Sequence, residues 1–454
     1  MQLVSRECRA LYPSFRIMAG SQDTIFAVAS GLGRSAISVI RLSGPRTRFV
    51  LETIATPVPA PRKALLRTLR DGAGEHLDQA LVIWMPQPTS FTGEDQAELH
   101  IHGGPAVRAA VIRTLSRIEG CRTAEPGEFT RRAFLNDHMD LSGVEGLADL
   151  IEAETEAQRR QAMRQLEGCL GQLVESWRER LIGALAWLEA GLDFADEEDV
   201  AADLQAKAGL VLRDLAIAIS EALNDNARGE RLRDGFMVVL AGPPNAGKST
   251  LLNALARRDV AMVSAIPGTT RDAIEVRCDL WGLPVTFVDT AGLRDTSNPM
   301  EHEGVIRATA RIKAADLVLW LRAPDIQDSP PMNVGCGLIE VATKADLRRK
   351  GSDGSILVSA LTGEGISALL DRIGEAAQSG LGSGDALITR ERHRTSLERC
   401  RDGLVRSCAA LEQRQDELAA EDARLALRSL GQITGRVDVE QVIDRIFASF
   451  CVGK

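Results

Sequence analysis

Between residues 24 and 104 short apolar runs alternate with turn-forming clusters. Residues 24–29, 36–42, 80–84 and 97–101 read as strands, and 47–55 and 105–118 carry helical spacing. That mixture predicts a compact α/β domain over residues 18–138. From Asp140 the period changes: Leu141, Val144, Leu147 and Ile151 fall on one helical face, and Ser142 and Glu145 have the spacing of a capping box. Long helices are expected to about residue 194 and again over 200–228, which makes 139–232 a helical segment. Three buried-strand runs follow at 237–241, 285–288 and 338–342, marking a second α/β segment over 233–380. Gly380-Leu381-Gly382-Ser383-Gly384 reads as a linker and 385–450 returns to helix, which makes 381–454 a second helical segment. A domain whose ends lie close together can be spliced into a loop of another domain. The expected fold is therefore a multidomain α/β plus all-α chain: an N-terminal α/β domain, one helical bundle built from both helical segments, and an inserted P-loop α/β domain.

Length and composition agree with this division. A chain of 454 residues holds about three ordinary domains, because single cores stop growing near 250–300 residues. Hydrophobic residues make up 44% of it but aromatic residues only 4%, which favours helices. The net charge of −9 argues against nonspecific polyanion binding over the whole surface. A local patch can still hold nucleic acid, and arginines at 390, 392, 394, 399, 401 and 406 form such a stretch, although a solvated basic helix face is the expected reading there. The cysteines are scattered, with no C-x-x-C, so neither a disulfide framework nor a zinc site is expected. A reducing, cytoplasmic setting follows. No apolar run approaches the roughly 18 residues of a membrane helix, so no membrane role is expected. Residues 1–17 carry Arg6, Arg9 and Arg16 against one acid, Glu7, and read as a leader ahead of Met18 with a faint transit-peptide character.

The candidate chemistry begins after the strand at 237–241. Gly242-Pro243-Pro244-Asn245-Ala246-Gly247-Lys248-Ser249-Thr250 is a phosphate-binding loop in a strand-to-helix setting. Its backbone N–H groups converge on phosphate oxygens, Lys248 reaches the β/γ-phosphates and Ser249 can hold Mg²⁺. The strand at 285–288 ends in Asp289-Thr290-Ala291-Gly292, whose aspartate supports Mg²⁺ and whose glycine N–H can meet a γ-phosphate. Thr343-Lys344-Ala345-Asp346 closes the strand at 338–342. The Asp346 carboxylate can accept two hydrogen bonds from the guanine N1–H and N2–H₂ edge, with the Lys344 stem along the base. Ser359 and Ala360 form a loop whose backbone can approach guanine O6, and Gly268-Thr269-Thr270-Arg271-Asp272 stands where a switch loop supplies a threonine to Mg²⁺. The motif set points to GTP. Position 293, where Ras-like proteins place a water-orienting glutamine, is Leu293, which cannot hydrogen-bond water. Glu301, Glu303, Arg271, Arg294, or a cation seated by Asn245, are the candidates to take that part. His100 and His102 share one side of a strand, but no third metal ligand is visible.

The chain closes on Phe450-Cys451-Val452-Gly453-Lys454. With Phe91-Thr92-Gly93-Glu94-Asp95, His102-Gly103-Gly104-Pro105, Pro126-Gly127-Glu128-Phe129-Thr130 and Arg132-Ala133-Phe134-Leu135-Asn136-Asp137, it resembles the MnmE (TrmE) family of bacterial tRNA-modifying GTPases over residues 22–454. The resemblance implies an N-terminal folate-binding domain, a helical domain and an inserted GTPase. It also implies a homodimer that works with the flavoprotein MnmG to build an aminomethyl-type group at C5 of the tRNA wobble uridine. The one-carbon unit would come from a tetrahydrofolate derivative, 5-formyl- or 5,10-methylene-tetrahydrofolate. Folate contacts carry over to Arg41, Glu98 and Lys454, with His138 where the family commonly has lysine. Cys451 is implied near the one-carbon unit. K⁺ takes an arginine finger's place, held by groups matching Asn245, Ser264, Ile266 and Thr269, while Thr270 matches the Mg²⁺ ligand. Glu301 matches the water-positioning glutamate, though His302 replaces the arginine expected after it and Glu303 is a rival. Thr343 replaces the commoner asparagine, which predicts weaker nucleotide affinity, since a hydroxyl makes fewer hydrogen bonds than an amide. Two other readings use the GTPase motifs alone: an RNA- or ribosome-associated regulatory switch, and a scaffold whose GTPase gates partner docking. Neither gives Cys451, Lys454 or the N-terminal motifs a role.

Overall fold

The computed structural model describes residues 23–31, 33–193, 198–224, 226–256, 262–265, 275–289, 310–324, 335–347, 355–382, 386–437, 446–447, 450 and 453. The chain divides into two compact units, Met1–Val144 with Asp438–Lys454, and Glu145–Val437.

In the first unit, alternation of apolar and polar residues builds a sheet with two different faces. Its strands are β1 (Thr24–Val28), β2 (Ile37–Ser43), β3 (Leu65–Arg70), β4 (His76–Met85), β5 (Gln96–His102) and β6 (Cys121–Thr123), in the order β3-β4-β5-β2-β1-β6. Phe26, Ile40, Leu42, Val82, Leu99 and Ile101 line one face. Against it pack helices α1 (Thr47–Ile54) and α2 (Pro105–Ser116), through Val50, Leu51, Ile54, Val111 and Leu115. The intervening positions put Arg41 opposite Glu98 on the other face, where β2 and β5 pair antiparallel. Strands β3 and β6, and helix α3 (Glu128–Leu135), were not anticipated: β3 opens on two exposed leucines and β6 is three residues long. The unit also takes in the end of the chain, which the sequence pattern grouped with the second helical segment.

Helix α4 (Leu141–Glu152) corrects the expected capping box. Asp140, not Ser142, caps it: its carboxylate accepts from the Gly143 N–H at 2.7 Å and from the Ser142 hydroxyl at 2.8 Å.

In the second unit, helices α5 (Glu156–Leu166), α6 (Cys169–Asp193), α7 (Glu198–Asn224) and α8 (Asn226–Asp234) precede a seven-stranded sheet. That sheet comprises β7 (Phe236–Ala241), β8 (Met262–Ala265), β9 (Glu275–Leu280), β10 (Leu283–Asp289), β11 (Leu317–Arg322), β12 (Gly337–Ala342) and β13 (Ile356–Leu357). Their order is β13-β12-β11-β7-β10-β9-β8, with β9 antiparallel to its neighbours β10 and β8. Helices α9 (Lys248–Ala256) and α10 (Ile366–Leu381) belong to this part. Because Leu381 is buried, α10 runs through the start of the expected linker, and only Gly382 onward leaves the helix. Helices α11 (Glu391–Glu412) and α12 (Asp416–Thr434) follow. Leu181 of α6, Leu212 of α7, Leu404 of α11 and Leu430 of α12 share one core, so helices from before and after the sheet form a single bundle.

Candidate functional site

Strand β7 lies between β10 and β11, both parallel to it, so the chain leaves β7 at the point where the strand order reverses. The carboxyl ends of strands at such a point are the binding crevice of open α/β sheets. The loop from Gly242 to Gly247 starts there. Gly242 has φ +140, and a Cβ on it would come within 2.4 Å of the Leu321 carbonyl, so no larger residue lets the loop leave β7 beside β11. Asn245 takes φ +64, and Ala246, next in the loop, is fully buried. Lys248 opens α9, largely buried, with its ammonium donating to the Gly242 and Pro243 carbonyls at 2.9 Å each. A charge held at a helix N-terminus among convergent N–H groups is suited to a polyphosphate.

Next along α9, the Ser249 hydroxyl donates to the Asp289 carboxylate at 2.5 Å, while Thr250 is exposed. Asp289 ends β10 and is 1% exposed. A hydroxyl and a carboxylate meeting beside a phosphate loop form a hard oxygen donor set that fits Mg²⁺.

On the other side of the crevice Thr343 is buried and its hydroxyl donates to the Ala246 carbonyl at 2.7 Å, with the Arg322 carbonyl at 3.2 Å. The segment after β12 is thereby tied to the phosphate loop. Lys344 takes φ +56. Asp346 accepts from the Ser359 hydroxyl at 2.6 Å, which fixes one carboxylate oxygen, and Ala360 follows in the same loop.

Other anticipated positions lie outside the described residues: Ile266, Thr269, Thr270, Arg271, Thr290, Ala291, Gly292, Leu293, Arg294, Glu301, Glu303, Cys451 and Lys454. Ser264 lies on β8, paired in register with Arg277.

In the first unit, Arg41 reaches the Glu98 carboxylate at 3.2 Å. Its guanidinium stacks on the rings of Phe91, at 5.7 Å, and Phe129, at 5.8 Å. Glu98 is also within 3.1 Å of the His100 ring. His102 turns instead to Asp78, at 2.7 Å, so the two histidines have different partners. Among the described residues no group of three or more His, Cys, Asp or Glu side chains is placed to hold a metal. The Phe91 and Phe129 contacts were not read from sequence. Their signal was the aromatic residue in each of two otherwise polar motifs.

The charged residues of those motifs pair with each other. Arg132 binds Glu94 at 3.0 Å and Glu128 and Asp23 at 3.1 Å each, and the Ser43 hydroxyl donates to Glu94 at 2.7 Å. Arg122 also binds Glu128, and these partners hold its carboxyl below the usual range against the effect of burial. His138 is exposed, and its ring lies against Gly93. At the chain's end Gly453 has φ +98, and a Cβ there would fall 2.3 Å from the Val28 carbonyl, so the tail reaches β1 by close backbone approach.

The basic stretch 390–406 resolves into two parts. Arg390, Arg392 and Arg394 turn to Asp149, Glu145 and Glu230, so they do not form a solvated stripe. Arg399 and Arg406 are exposed and, with Arg428, line a shallow groove of about 280 Å³ between α11 and α12.

Two family models match the chain: "GTP-binding protein TrmE N-terminus" over residues 24–138 and "MnmE helical domain" over residues 141–451. The chain belongs to the MnmE family. A tRNA modification GTPase MnmE of Methylobacterium sp. (strain 4-46) is 60% identical, covering 95% of this chain and 100% of that protein. The one from Parvibaculum lavamentivorans is 52% identical with the same coverage. Among solved structures, the G domain of the T. maritima FeoB iron transporter is 24% identical over 31% of this chain and 98% of its own, at a TM-score of 0.23, too low to bear on the fold. The chain is thus a GTPase of a tRNA-modifying family. No described helix is long and apolar enough to cross a membrane.

Proposed function

We propose that the chain uses GTP hydrolysis to drive addition of an aminomethyl-type group at C5 of the wobble uridine of certain tRNAs. It acts in the cytoplasm as a homodimer together with the flavoprotein MnmG. The observation that supports the folate half of this reading is that the chain's end belongs to the same compact unit as Arg41 and Glu98, with Gly453 against the end of β1. In this reading Arg41, Glu98, His138 and Lys454 hold a tetrahydrofolate derivative, 5-formyl or 5,10-methylene, which supplies the one-carbon unit. The Phe91 and Phe129 rings keep the Arg41 guanidinium in place for an anionic or hydrogen-bonding ligand.

Within the GTPase segment, Asn245, Ala246, Gly247, Lys248, Ser249 and Thr250 cradle the phosphates, with Ser264, Thr269, Thr270, Asp289, Thr290, Ala291 and Gly292 around the γ-phosphate. Ser249 and Thr270 hold Mg²⁺, with Asp289 supporting it through the Ser249 hydroxyl. Thr343, Lys344, Asp346, Ser359 and Ala360 select guanine. Asn245, Ser264, Ile266 and Thr269 hold K⁺ in place of an arginine finger, and Glu301 with Arg271 positions the attacking water.

The test is mass spectrometry of wobble nucleosides from cells lacking the protein, complemented with the parent chain or with Cys451→Ser. We expect the parent to restore the modification. The serine variant should keep GTP turnover and lose the modification, because the change removes thiol chemistry at nearly constant size. Fully modified tRNA from the serine variant would remove Cys451 from the chemistry, and unmodified tRNA with the parent chain would sink the reading.

A further inference from the structure

Helix α5 carries Gln158, Gln161 and Gln165 at i, i+3 and i+7, on one face, and Gln161 and Gln165 are buried. Buried amides at such positions require partners. Each finds a backbone carbonyl. Gln158 Nε2 donates to the Arg233 carbonyl at 2.9 Å and Gln161 Nε2 to that of Gly229 at 3.1 Å. Gln165 Nε2 donates to the Leu387 carbonyl at 2.6 Å and to the Thr389 hydroxyl at 3.1 Å. Gly229 and Arg233 lie on α8, which leads into β7, whereas Leu387 and Thr389 lie on the segment that leads from α10 back to α11. One helix therefore holds both chain crossings between the GTPase sheet and the bundle.

The amide orientation of Gln158 follows from the network. Its Oε1 accepts from the Thr155 and Glu154 N–H groups in a capping box with Thr155, so its NH₂ must face Arg233. The start of α5 makes a third attachment: the Ala157 N–H donates to the Gly282 carbonyl at 3.1 Å, in the turn between β9 and β10. From Gly282, β10 runs seven residues to Asp289, roughly 20 Å at strand rise, and Asp289 holds Ser249 of the phosphate loop. Because β10 is hydrogen-bonded along both edges, to β7 and to β9, it resists local distortion between those two ends.

We propose that α5 is the coupling strut of this enzyme. It takes displacement of the nucleotide site through β10 and Gly282, and passes it to the bundle through the Gln158, Gln161 and Gln165 bonds. These glutamines are positioning residues that touch neither nucleotide nor tRNA. The proposal rests on the reading that GTP turnover drives the modification.

The test compares the full chain with a triple variant, Gln158→Ala, Gln161→Ala and Gln165→Ala. Amide hydrogen exchange is followed with GDP, and with GDP plus aluminium fluoride in K⁺. In the parent we expect the nucleotide switch to change exchange in β10, in 386–390 and in α11. In the triple variant the β10 change persists and the α11 change is lost. GTP turnover stays within about threefold while tRNA modification falls by about tenfold or more, the range of ordinary coupling energies. The single variant Gln161→Met, close in volume, should reproduce the split more weakly, and it serves if the triple variant does not fold. The proposal fails if the variants transmit the α11 change like the parent, if the parent shows no such change, or if turnover and modification fall in step. Failure of the folate reading shows separately, as a parent chain that leaves tRNA unmodified while the exchange result stands.

Discussion

Glu145→Gln tests the ion cluster that joins α4 to the return segment of the chain. The Glu145 side chain is 3% exposed and receives Arg392 Nε at 2.5 Å, Arg392 Nη2 at 2.6 Å and His393 Nε2 at 2.8 Å. Burial alone raises its carboxyl pKa, but the His393 and Arg392 donors outweigh it and hold the group well below the usual carboxylate range. His393 is fully buried. Burial lowers its pKa against the opposing pull of Glu145. Glutamine keeps the volume and leaves no cavity. It removes the charge and turns an NH₂ toward donors, so at least one Arg392 N–H loses its acceptor. Breaking one side of a buried pair costs about 3–5 kcal/mol. Arg392 is 21% exposed and can recover some hydration, which puts the expected loss near the lower end, about 3 kcal/mol. At roughly 2–4 °C per kcal/mol, the bundle's melting point should fall by about 6–12 °C.

The pH dependence supplies a second check. A carboxyl whose folded pKa is depressed stabilises above its unfolded value, about 4.3, and loses that contribution as pH falls toward the folded value. A histidine whose folded pKa is lowered binds its proton more readily when unfolded, so its contribution begins to disappear below about pH 6.5. Differential scanning calorimetry from pH 8 to pH 4 should show the parent losing stability from about pH 6.5 downward. The gap to Glu145→Gln should hold or widen as pH falls from 8 to about 4.5, because without Glu145 the folded His393 ring binds its proton less readily still, and should begin to narrow only below about pH 4.3. A melting-point difference under about 2 °C at pH 7.5 would mean that the cluster is screened like a surface pair, and the reasoning would be wrong.

Three further outcomes concern the nucleotide. Thr343→Val removes the bond to the Ala246 carbonyl, so GTP affinity should fall by roughly fivefold to a hundredfold, the equivalent of about 1–3 kcal/mol; an unchanged dissociation constant for a fluorescent GTP analogue refutes the tie. Asp346→Asn should lose GTP and gain xanthosine triphosphate, because the amide donates where the carboxylate accepted, and retained GTP affinity rejects the base assignment. GTP turnover should require K⁺ and rise with protein concentration, since Leu293 cannot orient water, and equal rates in Na⁺ would remove the cation's part.

The phosphate loop was legible because its residues are consecutive: Met237 to Ser249 carry strand, turn and helix start in one short word, and the structure joins Lys248 to Gly242 and Ser249 to Asp289. Strands β1, β2, β4 and β5 were legible for a similar reason, as alternation is a local signal. What escaped was decided by distant partners. Ser142 and Glu145 have capping-box spacing, yet Glu145 is drawn to arginine and histidine donors nearly 250 residues later, 247 for Arg392. Arg390, Arg392 and Arg394 look like a solvated stripe in sequence, but their acids lie 241, 247 and 164 residues earlier. Local charge patterning cannot see such pairs.

Thr343 joins the two ends of the nucleotide crevice. A hydroxyl has one proton to donate, and here the shorter contact is to Ala246 in the phosphate loop, with the Arg322 carbonyl farther off. An asparagine amide has two protons and an acceptor oxygen, so it can tie the same loop and still hold a neighbour. The threonine therefore keeps the connection between the segment after β12 and the phosphate loop while giving up the additional hold. In the reading proposed above selectivity for guanine rests on Asp346, whose Oδ1 is fixed by Ser359 and not by Thr343, so that loss would leave it untouched. On that reading the threonine would weaken the grip shared between base and phosphate subsites, and a bound nucleotide should leave faster than with an asparagine there.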